Sequence, residues 1–241
     1  MRKMTLQQAL AAGTQFQKAG RFDEAENIYR QLLAQDPKCA DALHLLGVLL
    51  FQRGQPEPGI DLIRRAIAIY PTAAMYHANL ARILTAAKRT DEAIEANQEV
   101  VALQPDNAQA FNDLGSALFS AQRVEEAIAA YRRAVEIQPD LASAWSNLAN
   151  ALHVSGKWSE ALECCNKALA IQPNYVEALG VLGNILCDLD RFDEAIAEYQ
   201  KAITLRPNMP EMYNNLGLAL FRRGRYDEAI AVIDKAIALQ P

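Results

Sequence analysis

The chain has 241 residues, 51% of them hydrophobic and 7% aromatic, with a formal net charge of −5. No apolar run reaches the ~18–20 residues that a membrane-crossing helix needs, and the opening Met1-Arg2-Lys3-Met4-Thr5-Leu6-Gln7-Gln8 carries charge without the apolar core of a signal peptide. The acidic balance disfavours nucleic acid, which selects basic patches, and the whole reads as a cytoplasmic protein with no membrane contact.

Residues 1–5 read as a short N-terminal extension. From residue 6 the chain is periodic: Pro37, Pro71, Pro105, Pro139, Pro173, Pro207 and Pro241 stand 34 residues apart. A period that strict means one supersecondary unit copied along the chain. The repeats are residues 6–39, 40–73, 74–107, 108–141, 142–175, 176–209 and 210–241. Counting within each repeat, the eighth place reads Gly13, Gly47, Ala81, Gly115, Ala149, Gly183 and Gly217. The twentieth reads Ala25, Gly59, Ala93, Ala127, Ala161, Ala195 and Ala229. Small residues in both columns let two helix backbones approach closely. The seventh place (Leu46 to Leu216, with Ala12 in the first repeat) and the eleventh (Leu50 to Leu220, with Phe16) fill the space beside them.

In chain order, each repeat reads as two helices. The first has Gly20 at its turn and Asp23 just after. The second has Gln55-Pro56-Glu57-Pro58-Gly59 there, where two prolines shape the start of its second helix. The third predicts helices over 74–87 and 91–104. In the fifth, Ala144, Trp145, Leu148, Ala149 and Leu152 recur at helical spacing, as do Ala161, Leu162, Cys165, Ala168 and Leu169. Gly20, Gly54, Gly156 and Gly224 suit the left-handed conformation that ends many helices. Asp23, Asp91, Glu125, Asp193 and Asp227 sit where a negative charge opposes the positive end of a helix dipole. Each periodic proline stops the second helix, because it lacks an N–H and biases the preceding residue away from helix. The last helix carries Ile230, Ile233, Ile237 and Leu239 with no following repeat in the sequence, which predicts either a piece of a longer protein or end-to-end self-association through this helix.

Catalysis finds no support, and no cofactor is expected. His44, His77 and His153 lie in different repeats without metal-ligand spacing. His77 shares a column with Trp145 and Tyr213 and reads as a packing residue. His44 and His153 are placed toward a ligand-facing side. Cys39, Cys164, Cys165 and Cys187 lack the paired spacing of a zinc site, and read as small buried hydrophobes in a reducing compartment. Arg64-Arg65, Arg132-Arg133 and Arg222-Arg223 read as solvated surface. No glycine-rich phosphate loop or nucleophile elbow occurs.

Asparagine is the residue type that stands out. Asn79, Asn147 and Asn215 share the sixth place, with Asp113 there in the fourth repeat. Asn150 and Asn184 share the ninth place, and Asn112 and Asn214 the fifth. Asn147 and Asn150, three apart, lie on one helix face. Asparagine is mediocre within helices, so its recurrence asks for a reason. One reason is hydrogen bonding between repeats. Another is a ladder of amides that donates to and accepts from an extended peptide backbone.

Trp145, Leu148, Ala149, Leu152, Ala161, Cys165, Ala168 and Pro173 resemble the tetratricopeptide repeat motif, and the resemblance covers residues 6–241. It implies an all-α fold, a right-handed superhelical solenoid of seven helix pairs. First helices would line a concave groove that holds the asparagine columns and binds a protein or peptide partner. A narrower resemblance is carried by Ala144-Trp145-Ser146-Asn147-Leu148-Ala149-Asn150-Ala151-Leu152 and Tyr213-Asn214-Asn215-Leu216-Gly217. These are similar to the repeat arm of O-linked N-acetylglucosamine transferases, where an asparagine ladder holds the protein substrate. The segment Ile28-Tyr29-Arg30-Gln31-Leu32-Leu33 resembles bacterial repeat arms fused to glycosyltransferases. That implies a substrate-recognition arm whose catalytic domain is outside this chain. Ala11, Leu45 and Val181 break the ladder in the first, second and sixth repeats. A co-chaperone clamp for acidic tails is disfavoured, because Glu177, Glu211, Gln109 and Met75 stand where it needs basic residues.

Overall fold

The computed structural model describes residues 5–240. Met1 to Met4, most of the expected extension, and Pro241, the last periodic proline, lie outside the described residues. Within them are fourteen helices and no strand. The pairs are α1 (Leu6–Lys18) with α2 (Phe22–Gln35), α3 (Ala40–Gln52) with α4 (Pro56–Ile69), and α5 (Ala74–Ala86) with α6 (Thr90–Leu103). Next come α7 (Ala108–Ser120) with α8 (Val124–Ile137), and α9 (Ala142–Val154) with α10 (Trp158–Ile171). Last are α11 (Val176–Asp188) with α12 (Phe192–Leu205), and α13 (Pro210–Arg222) with α14 (Tyr226–Leu239). The third pair matches the expected bounds to within one residue, and Pro56 opens α4 as its first helical residue.

The chain forms two compact bodies, one up to Ala110 and one from Phe111. In the first, successive helices α1 to α6 pack in order, and α3 also touches α1 and α5. In the second, α8 to α14 pack in order along α8–α9, α9–α10, α10–α11, α11–α12, α12–α13 and α13–α14, and α11 also touches α9 and α13. First helices therefore lie beside first helices within each body.

All seven turns use one left-handed residue, at the fifteenth place of the repeat. Glycine takes it at 20, 54, 156 and 224, but Lys88, Gln122 and Asp190 take it with φ of 59°, 61° and 57°. The next residue closes each turn onto the eleventh-place carbonyl, as Arg89 N–H does on Leu84 and Arg225 N–H on Leu220, both at 2.9 Å. That bond satisfies a carbonyl the helix end leaves open, and it holds three ordinary residues where side chains are disfavoured. At the other end of each repeat, the residue before each described periodic proline, from Asp36 to Arg206, has φ between −131° and −140°, which is extended.

Packing inside each pair turns on two places. Where the eighth place is glycine, the twenty-fourth is large: Gly13 with Tyr29, Gly47 with Ile63, Gly115 with Tyr131, Gly183 with Tyr199, Gly217 with Ile233. Where the eighth place is alanine, the twenty-fourth is smaller: Ala81 with Asn97 and Ala149 with Cys165. A Cβ on Gly183 would lie 2.4 Å from Tyr199 Cε1. In the second repeat the backbones themselves close in, with a Cβ on Gly47 falling 2.7 Å from the Gly59 carbonyl oxygen. Ala149 is fully buried, so Ala149→Leu is expected to cost ~1–3 kcal/mol by overpacking α9 against α10. Loss should begin locally, because each repeat rests mainly on its neighbours. An unchanged thermal midpoint would remove Ala149 from that contact.

The place shared by His77 and Trp145 has a common task. His77 Nε2 and Trp145 Nε1 each donate to the proline carbonyl six residues earlier, Pro71 and Pro139, at 2.8 Å. The paired arginines are surface residues with carboxylate partners: Arg64 with Glu92, Arg132 with Glu160 and Arg223 with Asp193. Exposed pairs of this kind add little stability. No described helix is long and apolar enough to cross a membrane.

Candidate functional site

The asparagine columns lie on the first helices, and the structure divides them by what they bond. In the first body, Asn79 Nδ2 donates to His44 Nε2 at 2.9 Å and to the Met75 carbonyl at 3.1 Å. Its Oδ1 accepts from Arg82 at 3.2 Å. Asn79 thus ties α5 to α3, with its amide capacity largely spent. His44 does not face a ligand, contrary to the sequence expectation. It is only 2% exposed, stacked on Tyr76 with ring centroids 4.5 Å apart. Because Asn79 donates to Nε2, the imidazole proton sits on Nδ1, which has no partner. Burial pushes the His44 pKa down to about 4, against the opposing pull of Asp41.

In the second body the same tying recurs with different partners. Asn147 Nδ2 on α9 donates to Asn112 Oδ1 on α7 at 2.9 Å. Asn112 is 5% exposed, so it supports Asn147 from beneath. Asn215 Nδ2 on α13 donates to Asn184 Oδ1 on α11 at 3.0 Å. The Tyr199 hydroxyl donates to the same oxygen at 2.7 Å. Asn79, Asn112, Asn147, Asn184 and Asn215 therefore all join neighbouring first helices, as the inter-repeat reading expects. Asp113 and Asn214 are exposed.

Asn150 differs, and its neighbours explain why. It occupies the ninth place, as Asn184 does. Asn184 has Tyr199 at the twenty-fourth place of its own repeat and Asn215 at the sixth place of the next. For Asn150 the corresponding residues are Cys165 and Val181, neither able to supply those bonds. The Asn150 amide is accordingly half-exposed and unpartnered among the described residues. Asn147, one turn away, keeps its Oδ1 unpaired. Sequence reasoning found both residues but missed the tyrosines that separate them. The signal was the twenty-fourth column, where a tyrosine hydroxyl passes beside glycine to reach the first helix: Tyr29 to Gln17 at 3.1 Å, Tyr131 to Ser116 at 3.2 Å.

His153 is held by Asp188, Nε2 to Oδ2 at 2.6 Å, and so links α9 to α11. Phe51 and Phe119 are half-buried, and Phe221 is exposed against Tyr226. All four cysteines are free; Cys165 is buried in the core column and its thiol pKa is pushed up to about 12 by desolvation. The described residues contain no cluster of three His, Cys, Asp or Glu side chains able to hold a metal ion.

Comparison with known proteins agrees with this architecture. Sequence profiles described as tetratricopeptide repeat match residues 10–74 and 59–108, 142–175 and 210–241, and 164–197. A profile described as TPR repeat matches 115–156 and 183–224. A search of curated proteins finds no significant match. Among solved structures, a tetratricopeptide repeat protein from Parabacteroides merdae superposes with a TM-score of 0.79 at 15% identity, over 98% of this chain and 93% of that one. PilF from Pseudomonas aeruginosa gives 0.71 at 19% identity, over 85% and 93%. YrrB, described as a TPR protein with an unusual peptide-binding site, gives 0.61 at 18% identity, over 74% and 92%. At these identities the likeness is one of fold. With its 34-residue period, its seven helix pairs and profile matches spread along nearly its whole length, the chain belongs to the tetratricopeptide repeat family.

Proposed function

We propose that this chain is a non-catalytic scaffold whose first-helix face in the second body binds an extended segment of a protein partner. The observation that carries the reading is Asn150, whose amide offers both a donor and an acceptor on a face where its counterpart Asn184 is already bonded. Asn147 contributes a free Oδ1 one turn away, and Asp113 on α7 and Asn214 on α13 are exposed first-helix residues. Asn112, Asn184 and Asn215 join the first helices of this body to one another. Amides matched to a peptide backbone give affinity with low sequence selectivity, since every peptide has that backbone. YrrB, a relative of the same fold, is described as binding peptide, which fits this use. Free and mostly buried thiols fit a cytoplasmic setting. The finer reading, a substrate-recognition arm for a glycosyltransferase, places a protein substrate on this same face and adds a catalytic domain.

The test is a peptide-library selection followed by titration with Asn147, Asn150 and Asn214 changed together to alanine. Each neutral hydrogen bond contributes a net ~0.5–1.5 kcal/mol, so the triple variant is expected to lose roughly tenfold or more in affinity while remaining fully helical. Binding that survives intact would move the partner to the second helices or the turns.

A further inference from the structure

The last helix exposes residues that other repeats bury. Ile230 is 61% exposed, whereas Ile60, Ile94 and Ile196 at the same place of their repeats are at most 3% exposed. Ile237 is 58% exposed. Its counterpart Ile67 in α4 is partly buried against the core cluster that holds Leu80, Leu84 and Ala96 of α5 and α6, and lines a cavity of about 390 Å³ together with them. The first repeat presents the corresponding cavity without such a side chain. Ala12, Phe16 and Ile28, at the places of Leu80, Leu84 and Ala96, line a cavity of about 770 Å³ between α1 and α2. Charges follow the same pattern. Arg89 crosses from the third repeat to Glu57 of the second at 2.8 Å. Arg21 and Asp227 occupy those two places in the first and seventh repeats, and Asp227 has no ion pair among the described residues.

We propose that a second copy of this chain docks head to tail, with Ile237 of one copy seated in the α1–α2 groove of the next and Asp227 facing its Arg21. The joint reuses the geometry by which repeats stack inside each body. It is weaker than an internal joint, because Gln8 and Gln15 stand at the places of Tyr76 and Ile83, which are buried. Association is therefore reversible and rises with concentration. A contact between two different surfaces does not close on itself, so copies add in a row rather than stopping at a dimer.

Sedimentation of the 241-residue chain over a wide concentration range is expected to show an apparent mass rising past that of a dimer. Ile237→Glu blocks one end and Ala12→Glu the other, so each alone is expected to stay monomeric with unchanged helicity. Mixed, the two retain one working end apiece and should form a dimer that grows no further. The charge pair gives an independent check should Ala12→Glu fail to fold. Asp227→Arg alone weakens association, and mixing it with Arg21→Asp restores it. A chain that stays monomeric throughout would overturn the proposal. So would a folded Ala12→Glu variant that still dimerises alone, since that result means tail meets tail.

Discussion

Tyr199→Cys is expected to cost about 3–5 kcal/mol, the range for removing a buried aromatic from a packed core. Tyr199 is 1% exposed and fills the notch beside Gly183. Gly183→Ala alone should cost ~1–3 kcal/mol, because its new methyl would meet the ring at 2.4 Å. On the Tyr199→Cys background the same alanine has room. There it is expected to be neutral or stabilising, since alanine holds a helix better than glycine by roughly 0.5–1 kcal/mol. The double variant recreates the Ala149 and Cys165 pair of the fifth repeat. Denaturant unfolding of the four chains measures the coupling, expected at about 1–3 kcal/mol. Strict additivity would show that the two columns do not read each other.

Acid should weaken the first body well before its carboxylates are protonated. His44 is neutral in the fold with a pKa of about 4, against 6.5 for the free side chain. Below pH 6.5 the unfolded chain takes up a proton that the folded chain refuses. Stability from this residue is thus complete above pH 6.5 and falls progressively as the pH drops to about 4. The full loss is on the order of 3 kcal/mol, at about 1.4 kcal/mol per pH unit. Between pH 6.5 and 5 most carboxylates have not begun to protonate, so the slope there is the clearest readout. His44→Leu should flatten it, because leucine keeps the apolar contact with Tyr76 and cannot charge. An equally steep slope in that variant would assign the effect to another group.

The run of helix pairs was legible because its determinants are local and repeated. A proline every 34 residues ends each second helix, and four glycines mark turns that the fold places where expected. The turns at Lys88, Gln122 and Asp190 were not legible as left-handed, because nothing in those side chains asks for it. Closure onto the eleventh-place carbonyl imposes the conformation, and the neighbouring helices hold it. The candidate site was half legible. Asparagine columns are visible in the sequence, yet the bonds that occupy them join residues 31 or 35 positions apart and differ from repeat to repeat. His44 was misplaced for the same reason. Its column suggests an open face, but Tyr76 from the following repeat stacks over it.

The coupling of the eighth and twenty-fourth places also bears on how such a chain can be recombined. Each pair lies within one repeat, on either side of its turn. A crossover at a proline carries both members together and leaves every notch filled. A crossover at a turn can set alanine against tyrosine, or glycine against cysteine, and so create a clash or a void from two sound parents. The heritable module is therefore the helix pair as a whole, and neither helix is a spare part for its namesake elsewhere in the chain.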